Sequence, residues 1–84
     1  MDNKHQKTLL AIYEKPERAN IHWKDVEALL VSLGADISEG DGSRVRITLN
    51  DVRAVFHRPH PQKEINKGAV KSLRRFFETA GVKP

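Results

Sequence analysis

Gly40-Asp41-Gly42-Ser43-Arg44-Val45-Arg46-Ile47-Thr48-Leu49-Asn50-Asp51-Val52-Arg53-Ala54-Val55-Phe56-His57-Arg58-Pro59-His60-Pro61 is the stretch on which the fold turns. From Arg44 the pattern has period two. Val45, Ile47 and Leu49 fall on one face, and Arg44, Arg46 and Thr48 on the other. That alternation is the mark of a strand with one face buried. Asn50-Asp51 suits a two-residue hairpin turn, since both residue types tolerate positive φ. The return strand over 52–57 puts Val52, Ala54 and Phe56 inward, and Arg53, Val55 and His57 outward. Pro59 and Pro61 cannot donate ladder hydrogen bonds and end the pairing. The result is a hairpin with a cationic outer face and a histidine on it, suited to a phosphate backbone.

Outward from the hairpin, Gly40-Asp41-Gly42 is a flexible connection, and Ala35–Glu39 is a short strand or a loop. Before it, Val26, Leu29, Leu30 and Leu33 recur at the spacing of one helical face, which predicts a helix over 22–33. Asn20 or His22 stands where its N-cap belongs, with Asp25 in the place of a capping-box carboxylate. Gly34 suits the left-handed residue past its end. Residues 4–14 predict a short helix with Leu9, Ile12 and Tyr13 on one side, stopped by Pro16. After the hairpin, Asn66 caps a last helix. Ala69, Val70, Leu73, Phe76, Phe77 and Ala80 form its apolar stripe, and Gly81 stops it. Lys67, Lys71, Arg74 and Arg75 are expected on another face. Helices before and after a short antiparallel sheet predict an α+β fold with two or three strands covered on one side.

The chain has 84 residues, which sets one domain as the expectation. Charged residues make up 31% and hydrophobic residues 38%, a balance that suits a small globule rather than a disordered chain. The net charge of +4 favours a polyanion or an acidic protein as partner. There is no cysteine, which excludes disulfides and thiolate metal sites. No apolar run reaches the ~20 residues that span a bilayer. No secretory h-region follows the N-terminus, so a cytoplasmic protein with no membrane partner is expected.

An ordered set of residues carries a family resemblance. Gly42-Ser43, Pro59-His60-Pro61, Lys63-Glu64 and a helix closing on Ala80-Gly81-Val82 resemble the HicA toxins of toxin–antitoxin systems, over roughly Trp23 to Val82. Residues 1–20 resemble an N-terminal helical extension, and 21–84 the HicA-like domain. The resemblance implies a fold like the double-stranded-RNA-binding domain, α-β-β-β-α. It implies a small ribonuclease that cleaves mRNA and arrests growth. It also implies a HicB antitoxin, usually a degraded RNase-H-like domain joined to a DNA-binding domain, which covers the active surface; the complex represses its own operon. In one place the chain departs from the pattern. The family's catalytic histidine usually follows Gly-Ser, and Arg44 stands there.

RNA cleavage by the 2′-OH needs a proton removed, a proton donated and a dianionic phosphorane stabilised. Histidine moves protons near neutral pH. Arginine gives bidentate donors to phosphate and is no practical base. Ser43, Arg44, Arg46 and Arg53 are therefore candidate phosphate ligands. His57 and His60 are the candidate proton carriers, each with a plainer alternative: a surface histidine on a strand, and a turn or capping residue. Lys67, Lys71, Arg74 and Arg75 could meet phosphates across an A-form groove, or be a solvated face. Asp51, Glu64 and Glu78 interrupt the positive field. Trp23 and Phe76 are expected in the core. His57 and His60 have a His-x-x-His spacing, but two ligands with prolines between make a poor zinc site. No metal or other cofactor is expected.

These readings make the chain a metal-independent endoribonuclease toxin, a monomer when free, with RNA and a HicB-like protein as partners. The alternative is a non-catalytic module of the same fold that holds RNA, or only its acidic protein partner. A third reading is an interaction domain that touches no RNA.

Overall fold

The computed structural model describes residues 2–84. Six elements follow in order: α1 (Asn3–Tyr13), α2 (Trp23–Ser32), β1 (Asp36–Glu39), β2 (Arg44–Leu49), β3 (Val52–His57) and α3 (Lys67–Ala80). The three strands form one antiparallel sheet in the order β1-β2-β3. The fold is α+β, as the pattern predicts, and from α2 onward it has the α-β-β-β-α order of a double-stranded-RNA-binding-like domain. The stretch 35–39, open between strand and loop in the sequence, folds as the edge strand β1 over Asp36–Glu39.

Each element starts and stops for a local reason. Asp2 accepts from the His5 N–H at 2.8 Å and caps α1. That bond holds the Asp2 carboxyl below its usual pKa. His22 occupies the N-cap of α2 but makes no side-chain cap hydrogen bond. The start of α2 is fixed instead by Lys63, whose carbonyl accepts from the Trp23 N–H at 3.0 Å. Asn50 and Asp51 both have positive φ, 51° and 67°, as a tight hairpin turn requires. Asn66 accepts from the Ala69 N–H at 2.7 Å and caps α3. Gly81 closes α3 in the left-handed region, with Val82 N–H donating to Phe77 and Gly81 N–H to Glu78. That is a Schellman stop, which satisfies two of the helix's orphan carbonyls.

The core lies between the inner face of the sheet and the helices. Val45, Ile47 and Leu49 of β2 are buried, as the period predicts. Phe56 of β3 meets Phe76 of α3 edge-on, with ring centroids 5.8 Å apart. Val26, Leu29, Leu30, Val70, Leu73 and Phe77 complete it, and Trp23 and Phe76 are core residues as expected. Leu9 and Ile12 of α1 are fully buried in the same cluster. The N-terminal segment is therefore packed on the domain, against α2 and α3.

One expectation is corrected. Arg74 is not on an exposed face; it is buried, with 6% of its surface accessible. Its Nε donates to the Ile12 carbonyl at 3.1 Å, and one Nη to the Glu14 carbonyl at 3.0 Å and to Glu17 at 3.3 Å. The physical reason is that the last carbonyls of α1 have no helical partner and end beside α3. A guanidinium with several donors can serve them and a carboxylate together. Arg74 is thus a structural cation, unavailable to an RNA phosphate.

The C-terminal end of α3 is tied twice more. Asn50, in the hairpin turn, donates through Nδ2 to the Ala80 carbonyl at 2.8 Å. The Tyr13 hydroxyl donates to the Val82 carbonyl. Partial burial, followed by the charge of Glu78, raises the pKa of that hydroxyl and keeps it a donor.

Candidate functional site

The outer face of the sheet carries no helix. Alternation sends Arg44, Arg46 and Thr48 of β2 to it, with Arg53, Val55 and His57 of β3. The strand register sets their neighbours: Arg44 lies opposite His57, Arg46 opposite Val55, and Thr48 opposite Arg53. From β1, Ser38 lies opposite Arg46 and Asp36 opposite Thr48. Arg44, Arg46 and Arg53 are exposed, and none has an ion-pair partner among the described residues. Three guanidiniums without ion pairs on one open face give it positive charge, in a fork geometry of the kind that fits phosphate oxygens. A shallow groove of about 380 Å³ runs over this face past Arg46, Arg53 and Val55.

His57 ends β3 at the corner of that face. Its Nδ1 lies 3.4 Å from the Ser43 hydroxyl. When Nδ1–H donates to Ser43, Nε2 is left as a lone-pair acceptor, the form of imidazole that takes a proton. Ser43 is held in turn, because its carbonyl accepts from the Arg58 N–H at 2.9 Å. The structure thus brings Ser43, Arg44 and His57 together.

His57 and His60 also share a cleft of about 600 Å³, open to solvent. Arg58, Glu64 and Asn66 line it too, so it runs from the end of β3 to the start of α3. Both imidazoles are exposed. The hairpin face and the Pro59-His60-Pro61 turn therefore meet at His57, which belongs to both.

Lys67, Lys71 and Arg75 are exposed along α3 and have no ion pair among the described residues. They belong to the helical layer, away from the outer sheet face. Lys67 follows Asn66, which lines the cleft, and is the one best placed to extend the His57 site.

Arg58 has a role that nothing in its local sequence marks. It follows His57, so alternation turns its side chain to the inner side of the sheet. There it donates to Glu39 at 2.6 Å and to Glu27 at 3.2 Å and 3.5 Å. Those carboxylates, Glu27 first, raise its pKa further and keep it a fixed cation. The bridge ties the end of β3 to α2 and β1, and so fixes the strand end that presents His57. No local pattern marks it, because Glu27 lies 31 positions away in the chain.

In comparison with protein families, the model of a family described as HicA toxin of bacterial toxin–antitoxin matches residues 23–82. Nothing matches among curated proteins, and nothing among solved structures.

Proposed function

The chain belongs to the HicA family, toxins of bacterial toxin–antitoxin systems, and from that premise we propose that it is a metal-independent endoribonuclease neutralised by a HicB-like antitoxin. One observation carries the catalytic part. Arg44 stands where the family's histidine is usual, and the residue opposite Arg44 across the ladder is His57. An imidazole is therefore present on the same face, one strand over, with a hydroxyl beside its Nδ1.

The chemistry follows from the side chains. RNA lies on the outer sheet face with phosphates on Arg44, Arg46 and Arg53. His57 Nε2 takes the proton of a ribose 2′-OH. The 2′-oxygen then bonds to the adjacent phosphorus, and the guanidinium of Arg44 stabilises the charge of the phosphorane. The bond to the 5′-oxygen breaks, and that oxygen takes a proton from His60. The products are a 2′,3′-cyclic phosphate and a 5′-hydroxyl. Well-placed proton transfer of this kind contributes about 10²–10⁴-fold in rate.

The antitoxin reading rests on the same surface. Val55 is a large apolar residue, 52% exposed, and it lies opposite Arg46. An apolar contact ringed by arginines fits an acidic protein that would also block RNA. No helix is long and apolar enough to cross a membrane among the described residues, and a cytoplasmic site of action, on mRNA, fits the proposal.

Purified protein with an RNA oligonucleotide in EDTA tests this. Cleavage with a cyclic phosphate terminus, lost in His57→Ala, is the expected result. No cleavage by the wild-type protein, together with intact RNA binding, would instead favour a binding module that has lost its chemistry at Arg44. Full activity in a His57→Ala, His60→Ala double variant would sink the histidine assignment.

A further inference from the structure

The sheet ends at β3, and the phase of its ladder says which main-chain groups that edge leaves free. The two-residue turn makes Leu49 and Val52 a hydrogen-bonded pair. At the far end Arg58 N–H donates to the Ser43 carbonyl at 2.9 Å, in the same phase. Ala54 and Phe56, between them, therefore bond to β2. Arg53, Val55 and His57 turn their N–H and C=O groups the other way, where these have no main-chain partner among the described residues.

An open edge invites another strand, and proteins usually blunt it with proline, lysine, a bulge or a covering segment. Val52–His57 contains no proline and no lysine. Its register with β2 runs from Leu49–Val52 to Arg44–His57 without a bulge. Arg53, Val55 and His57 are exposed. The opposite edge is different. Gly40 N–H donates to the Arg44 carbonyl at 2.9 Å, which sets Ser38 and Asp36 toward β2 and leaves Ile37 and Glu39 facing out from β1. That edge is four residues long and acidic, and its Glu39 is already bound by Arg58.

The side chains beside the free groups say what fits them. On the outer face stand Arg53, Val55 and His57, with Arg46 and Arg44 behind them on β2. On the inner face Ala54 is half-buried at the margin of the core. Directly opposed residues of neighbouring strands share a face, with Cβ atoms about 4.5–5.5 Å apart. A strand reading carboxylate, apolar, apolar, apolar, carboxylate would set its acids opposite Arg53 and His57 and its middle side chain on Val55. Its two inward side chains would extend the core past Ala54 and Phe56. A carboxylate at His57 also accepts from the imidazole and takes the place of an RNA phosphate.

We propose that the antitoxin holds this chain by adding an extended acidic strand to the free edge of β3, as the fourth strand of the sheet. The inference rests on the antitoxin reading above and adds the way in which the partner is held. A nucleic acid has no row of alternating N–H and C=O groups to pair with the edge. A second copy, pairing antiparallel about Val55, would set Arg53 against His57 of the other copy and join two positive faces. Charge therefore favours the acidic strand.

The probe is a capped peptide, Glu-Thr-Val-Thr-Glu, titrated into the isotope-labelled full chain and followed by NMR. Amide exchange at Arg53, Val55 and His57 should be fast in the free chain and slow on binding, while Ala54 and Phe56 are slow throughout. Val55→Pro removes an outward donor and no ladder bond, a place where edge strands accept proline. It should weaken the peptide about tenfold, the worth of one lost hydrogen bond. N-methylation of the peptide's valine should weaken binding by a similar factor and leaves the protein unaltered.

Unchanged affinity for the N-methylated peptide, or binding that slows none of the three amides, would overturn the added strand and leave an acidic partner standing. Binding of neither peptide by the wild-type protein would overturn both. Slow exchange of the three amides in the chain alone, strengthening with its concentration, would give the edge to a second copy and overturn the proposal.

Discussion

The Nε of Arg74 donates to the main-chain carbonyl of Ile12 at 3.1 Å, from a position inside the core. One side chain of the last helix thereby finishes the first. Arg74→Met keeps the apolar stem and removes the donors. Unmatched buried carbonyls cost about 1–3 kcal/mol, and urea unfolding should register that loss. Lys71→Gln and Arg75→Gln, on the exposed side of the same helix, should stay within about 0.5 kcal/mol of wild type. An Arg74→Met protein as stable as wild type would show that the three bonds contribute nothing.

The same cation makes stability depend on acid. Hydrogen bonding to Arg74, with its charge as a smaller cause, holds the Glu17 carboxyl below the usual glutamate pKa. A depressed folded-state pKa means that the unfolded chain binds the proton first. The contribution is therefore complete above the unfolded value and disappears as pH falls through the folded value. Glu17→Gln should flatten this part of the acid limb. Unchanged acid dependence in the variant would refute the linkage.

At the hairpin turn two effects can be separated. Asn50 has φ 51° and donates to the Ala80 carbonyl. Asn50→Gly keeps the left-handed backbone and loses the bond, at a cost of about 1 kcal/mol. Asn50→Ala loses the bond and adds a left-handed penalty of about 1–2 kcal/mol. Thermal unfolding should rank wild type above Asn50→Gly, and Asn50→Gly above Asn50→Ala. Equal midpoints for the two variants would contradict the backbone argument.

The pairing of Arg44 with His57 gives a test of the chemistry. His57→Arg alone should reduce RNA cleavage by about 10²–10⁴-fold, the usual worth of a placed proton carrier. Adding Arg44→His returns an imidazole to the opposite position, and cleavage should partly recover. The readout is cyclic phosphate formed per unit time. A double variant as inactive as the single one would mean that the two positions are not equivalent.

Much of this molecule was legible because its periods are clean. Val45, Ile47 and Leu49 alternate with Arg44, Arg46 and Thr48, so strand, face and cationic surface came from one pattern. Asn50-Asp51, Asn66 and Gly81 are local signals, and each sits where its chemistry places it. β1 was ambiguous because it is a four-residue edge strand with little burial and no alternation to read. The burial of Arg74 does have a signal in the sequence. Arg74 lies four residues after Val70 and three before Phe77, which puts it on the apolar stripe rather than beside it. Arg58 and its two glutamates left no signal at all, since the chain brings them together only through the sheet.

In β2 every second side chain is buried and the intervening ones meet solvent. What the strand must be in order to fold and what it must be in order to act are therefore interleaved in one sequence and hardly compete. Arg44 and His57 face each other on the exposed side, while Val45 and Phe56, the next pair along, are buried. A sheet of this kind leaves a lineage free to relocate its reactive group while the core beneath stays the same.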